Sequence, residues 1–89
     1  MEKVRIAIVG YGQIGPVHLR SYKRFEEKAE VVAVVDLQEE RARLAQEQYG
    51  VERILTDYRE LWSMDDIDVI DVCIPTYLHH ELVLEAARH

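Results

Sequence analysis

Three glycines and one acid carry the clearest chemical meaning in this sequence: Gly10, Gly12, Gly15 and, further along, Asp36. The glycines follow an apolar run, VRIAIV, and precede Pro16 and a stretch with helical spacing. A buried strand, a tight glycine turn and the start of a helix, in that order, build a cradle for a pyrophosphate. Gly10 permits a turn that a Cβ would obstruct, Gly12 lets the backbone approach the phosphates, and Gly15 lets the helix sit close to the strand. Free N–H groups at the helix start, with the dipole behind them, stabilise the phosphate charge. A glycine triplet alone serves turn geometry equally well, so the flanking strand and helix carry the reading.

Asp36 ends the second apolar run, about twenty residues past the last glycine, where an acid bonds the ribose hydroxyls of a bound adenosine. The plain alternative is an acid that merely starts a turn. A carboxylate at this place repels a 2′-phosphate, so the cofactor expected is NAD, with NADP disfavoured. Leu37 stands where an NADP-binding chain often offers a basic residue, and Arg41 is the basic group near enough to count against that preference.

These residues need elements to hold them, and the hydrophobic pattern supplies eight. Strands are expected over 4–9, 31–35, 51–55 and 69–74, and helices over 13–27, 39–49, 58–64 and 78–88. Pro16 suits a first helical turn, where its missing N–H has no partner to lose. Residues 28–30 read as a short polar link. The run VVAVV is typical of a parallel strand covered on both faces, while 51–55, interrupted by Glu52 and Arg53, reads as an edge strand. Gly50 is placed to stop the second helix in a left-handed cap, and Asp57 with Glu60 has capping-box spacing. Pro75 ends the fourth strand and Thr76 can cap the last helix. The order β-α-β-α-β-α-β-α with right-handed crossovers gives an α/β fold: half of a Rossmann fold, a four-stranded parallel sheet ordered 3-2-1-4 with helices on both faces.

Three further groups call for a reading. Asp65, Asp66 and Asp68 lack the glycine and bidentate Glu of a calcium loop, so they read as a solvated turn and no metal site is expected. An ionised Asp71 within a covered strand is costly unless paired. His18, one helical turn beyond Gly15, is on the face that should approach the sheet. The two either hydrogen-bond, directly or through water, or Asp71 sits wet at an open edge. Cys73 reads as a small buried apolar residue rather than a nucleophile.

The segment CIPTYLHH brings a family into view. The glycine loop continued into His18, the acid at Asp36, a strand end with Pro75, Thr76 and His79, Tyr49-Gly50 followed by Thr56-Asp57-Tyr58, and the closing EAARH stretch occur together. In that combination the chain resembles the glucose–fructose oxidoreductase, inositol dehydrogenase and rhizopine-catabolism family of NAD(P)-dependent oxidoreductases, from about Val4 to the last residue. The resemblance implies that Gly10, Tyr11, Gln13 and Ile14 line the pyrophosphate and adenosine side. It implies that Ile74, Pro75 and Thr76 lie along the cofactor backbone and His79 near the nicotinamide ribose, although His79 also has a plain reading as a solvated first-turn residue. It implies a longer parent, whose later Glu-Lys-Pro motif and sheet-rich domain carry the chemistry on a sugar, inositol or related polyol. Residues 1–89 are therefore expected to be a truncated dinucleotide-binding domain with no substrate domain and no catalytic residue, inactive alone because hydride transfer needs substrate held against the nicotinamide.

Composition narrows the setting. Eighty-nine residues, 48% of them hydrophobic and 31% charged, suit one globular domain. No apolar run approaches the ~20 residues of a membrane span, and no signal peptide is expected. One cysteine allows no internal disulfide, which suits a reducing cytoplasm. The net charge of −6 argues against a nucleic-acid partner. An apolar fourth strand left at an edge is a template for self-association, so a homodimer through the region from Val69 to Ile74 is expected. Two other functional classes stay open: a non-catalytic nucleotide-binding module, and a self-associating structural fragment without a ligand.

Overall fold

Four β-branched or apolar runs become four parallel strands in the computed structural model, which describes residues 3–74 together with Leu84 and Ala87. They are β1 (Val4–Val9), β2 (Ala29–Val35), β3 (Arg53–Leu55) and β4 (Val69–Val72), ordered β3-β2-β1-β4. Helix α1 (Ile14–Lys23) links β1 to β2, α2 (Glu39–Tyr49) links β2 to β3, and a 3-10 turn over Tyr58–Ser63 precedes β4. The expected fold and strand order are thus present. Of the expected helix over 78–88, Leu84 and Ala87 are helical and the remainder lies outside the described residues.

Side chains alternate across the sheet and divide the core in two. Ile6, Ile8 and Val34 face α1 and α2, where they pack with Tyr11, Leu19, Ala42, Ala45 and Val51. Ala7, Val9, Ala33 and Val35 face the other way, onto Leu61 of the 3-10 turn, with Trp62, Ile70 and Val72 around them. Covering on both faces is why residues 6–9 of β1 and 31–35 of β2 read as unbroken apolar runs instead of alternating ones.

Several boundaries differ from expectation for identifiable reasons. β2 begins at Ala29, so 28–30 is no polar link: Val4 pairs with Ala29, and the Val4 N–H bonds the Lys28 carbonyl at 2.8 Å. α1 stops at Lys23 because the next amides tighten to i−3 partners, Arg24 onto Ser21 and Phe25 onto Tyr22. The 58–64 helix is a 3-10 turn; Asp57 caps it by accepting the Arg59 N–H, while the Ser63 hydroxyl bonds the Glu60 carbonyl, local competition that suits short 3-10 pieces. α2 ends on a left-handed Gly50, φ 70°, and β3 is an edge strand, both as expected.

The acidic turn before β4 is a fastener rather than a solvated loop. Arg53 donates two hydrogen bonds to the Asp66 carboxylate, one of them at 2.9 Å. That guanidinium holds the Asp66 carboxyl below its usual range. Asp68 accepts the Arg5 backbone N–H at 2.8 Å, which lowers its pKa too. Among the described residues no helix is long and apolar enough to cross a membrane.

Candidate functional site

The carboxyl ends of β1 and β2 are joined through one side chain. Asp36 follows β2, is only 8% exposed, and uses both carboxylate oxygens on backbone amides. One oxygen accepts the Tyr11 N–H at 2.9 Å and the other the Gln38 N–H at 2.8 Å. The first bond ties the acid to the glycine loop; the second orders the entry to α2, whose N-cap Gln38 makes no side-chain cap of its own. Each carboxylate oxygen can accept more than one hydrogen bond, so acceptor capacity remains beside the loop.

The glycines divide the labour. Gly10 has φ +96°, and a Cβ there would lie 2.8 Å from both the Cys73 carbonyl oxygen and Ile74 Cγ2. The turn therefore needs glycine for its backbone angle and for the nearness of the chain after β4. A Cβ on Gly15 would overlap the Gly10 carbonyl oxygen and press on the Tyr11 ring at 3.1 Å. That contact is what allows α1 to start directly against the end of β1. Gly12 is different: exposed, with only Arg41 Nη1 near the place of its absent Cβ, at 3.5 Å. The loop is open at Gly12, Gln13 and Ile14, all exposed. Gln13 caps α1 without a side-chain hydrogen bond, and the first turn holds no acid, so the positive end of that dipole faces outward uncompensated.

The other site residues fall as follows. Tyr11 does not present its ring to the loop surface: it is 2% exposed and packs within the core, leaving only its backbone in the loop. β1 ends so abruptly that the next side chain still falls inside. Leu37 is 84% exposed, an apolar surface beside Asp36. Ile74 reaches the loop from the β4 side through its contact at Gly10. Pro75, Thr76 and His79 lie outside the described residues. Arg41, in the first turn of α2, brings its guanidinium within 3.5 Å of the place of the absent Gly12 Cβ.

Asp71 is paired. His18 Nδ1 stands 2.6 Å from Asp71 Oδ2, the Tyr22 hydroxyl donates to the same oxygen at 2.7 Å, and Cys73 Sγ lies 3.6 Å from Oδ1. Tyr22 escaped the sequence reading, although it sits four residues after His18 and so shares its helix face. Burial first, then the Asp71 bond, push the Tyr22 hydroxyl up to about 12. Burial and the same carboxylate push the Cys73 thiol up to about 12; the residue is half-buried and lies against Asp71 and His18, so it is not the buried apolar residue expected.

The chain is similar to several known proteins. Residues 4–89 match an oxidoreductase family described by an NAD-binding Rossmann fold. The chain is 35% identical over 85 residues to myo-inositol 2-dehydrogenase of Thermotoga maritima, covering 96% of this chain and 25% of that protein. It is 36% identical over 89 residues to 2,7-anhydro-N-acetylneuraminate hydratase of Mediterraneibacter gnavus, covering 100% of this chain and 23% of that one. A crystal structure of a probable dehydrogenase from Thermotoga maritima superposes with a TM-score of 0.85 at 36% identity, covering 94% of this chain and 25% of the other. The chain thus spans about a quarter of the length of these relatives.

Proposed function

The chain belongs to the oxidoreductase family with the NAD-binding Rossmann fold, and from that premise we propose that residues 10–15 and Asp36 hold the adenosine and pyrophosphate of NAD. The observation that carries the reading is the Asp36 carboxylate, locked onto the Tyr11 amide beside the open Gly12 backbone. In this reading the amides from Gly12 to Gly15 take the pyrophosphate, with Gln13 and Ile14 at its edge. Asp36 takes the ribose hydroxyls, and Leu37 and Ile74 supply apolar surface to the adenosine. Pro75, Thr76 and His79 continue the site toward the nicotinamide.

NAD is preferred over NADP because Asp36 cannot swing away from a 2′-phosphate: both of its oxygens are tied to backbone amides. Arg41 limits that preference by placing a positive charge over the same loop.

The parent reaction we propose is NAD-dependent dehydrogenation of a hydroxyl on a sugar, inositol or related polyol. Residues 1–89 supply its cofactor half, and hydride transfer further requires a substrate held against the nicotinamide. The setting is a cytoplasm, and the chain pairs with a second copy through β4, where Val69 is 44% exposed. Calorimetric titration with NAD, ADP and NADP tests the cofactor reading. NAD and ADP binding alike, with NADP weaker, supports it; no heat with any of the three contradicts it.

A further inference from the structure

On the α1 side of β4, three side chains that the nucleotide reading leaves unused converge. His18 Nδ1, an Asp71 carboxylate oxygen and Cys73 Sγ all lie within 4.8 Å of one another. We propose that His18, Asp71 and Cys73 bind a thiophilic divalent cation, zinc above all, with a fourth position open to solvent.

The donor set is one imidazole nitrogen, one thiol sulfur and one carboxylate oxygen, the ligands zinc takes in tetrahedral sites. With zinc–sulfur at ~2.3 Å and zinc–nitrogen or –oxygen at ~2.0–2.2 Å, neighbouring ligands of a tetrahedron stand about 3.6 Å apart around the sulfur. Cys73 Sγ is already 3.4 Å from His18 Nδ1 and 3.6 Å from Asp71 Oδ1. Oδ1 is therefore the ligand oxygen. The other oxygen, Oδ2, is held at 2.7 Å by the Tyr22 hydroxyl, the outer-sphere bond that orients a ligating carboxylate. His18 opens from its 2.6 Å contact with Oδ2 to make room for the ion. Its side chain is 41% exposed, which gives the ion a path from solvent, while Asp71 at 15% gives it a sheltered anion.

Proton accounting is simple. Without an ion, His18 Nδ1 faces the Asp71 carboxylate at 2.6 Å, and the thiol is protonated. A bound dication takes the Nδ1 lone pair, which leaves the ring proton of the ligating imidazole on Nε2. The sulfur binds as thiolate and its proton leaves to solvent. The thiol proton is thus released on binding, and affinity falls as the solution is acidified.

Cobalt(II) titration of the reduced protein tests the site, since Cys73 is the one cysteine of the sequence and only it can give thiolate-to-cobalt charge transfer. The expected result is a charge-transfer band that saturates at one equivalent and is bleached by zinc. The band is lost in Cys73→Ser, and affinity falls at least tenfold in Asp71→Asn, with far-UV circular dichroism confirming that both variants are folded. A second readout, the thermal midpoint of the parent, rises with zinc. Cobalt bound without a charge-transfer band, a band that survives Cys73→Ser, or no zinc effect on the thermal midpoint would each overturn the proposal.

Discussion

Asp36 accepts the backbone N–H of Tyr11 across 25 residues of sequence at 2.9 Å, fixing the end of β2 to the loop that follows β1. That carboxylate shapes the loop, and in the proposed reading it also meets a ribose, so its removal should damage both.

Replacing Asp36 by Ala is expected to leave the buried Tyr11 amide unpaired, at a cost of about 1–3 kcal/mol. NAD affinity should fall roughly ten- to hundredfold, the equivalent of ~1.5–3 kcal/mol for a hydrogen bond to a charged group. Chemical denaturation and calorimetric titration of the same variant read the two effects separately.

Gly12 and Gly15 should respond oppositely to alanine. At Gly15 the new methyl meets the Gly10 carbonyl oxygen, so backbone must shift, and a loss of at least ~2 kcal/mol of stability is expected. At Gly12 the methyl meets only the end of a flexible arginine; stability should change by about 0.5 kcal/mol or less, while NAD binding weakens at least tenfold because the methyl occupies the phosphate approach. Thermal unfolding together with NAD titration of both variants checks the contrast.

Arg41→Ala should weaken NADP more than NAD. In the proposed reading the guanidinium near Gly12 offsets Asp36 for a 2′-phosphate, so the ratio of the two affinities should move toward NAD by about fivefold to tenfold, ~1–1.4 kcal/mol. An unchanged ratio would show that Arg41 does not read that phosphate.

Stability should be flat near neutrality and fall toward both extremes. Asp66 and Asp68 have lowered pKa values in the fold, so the folded state holds their protons less tightly than the unfolded one. Their contribution is present above the ordinary carboxylate range and lost as pH falls below it. Cys73 and Tyr22 are both raised to about 12. Their contribution is present below the usual thiol and phenol values and lost as pH climbs toward 12. Denaturation midpoints across pH measure both limbs, and Cys73→Ser should make the alkaline limb shallower.

Periodicity and punctuation made most of the architecture readable. Apolar runs such as VVAVV, the glycines and the position of Asp36 were enough for the strand order and the cradle, because each depends on local chemistry and on the handedness of crossovers. What escaped depends on contacts between distant segments. The start of β2 at Ala29 is set by Val4, which no reading of residues 28–30 contains. The Arg53–Asp66 pair spans 13 residues, so Asp66 looked solvated when read beside its acidic neighbours. Tyr11 turns inward because of where β1 ends by a single residue, a margin finer than hydrophobic pattern resolves. The His18–Asp71 pair was legible because an acid inside a covered strand demands a partner and one helical face offered it.

The most direct measurement is a map of backbone amide shifts in nitrogen–proton NMR spectra as NAD is added. The account predicts saturable shifts concentrated at Gly12, Gln13, Ile14 and Gly15 and at Asp36 and Leu37, reproduced by ADP and absent at those residues in Asp36→Ala at the same ligand concentration. Shifts confined to other surfaces, or none at the glycine loop with saturating NAD, would contradict it.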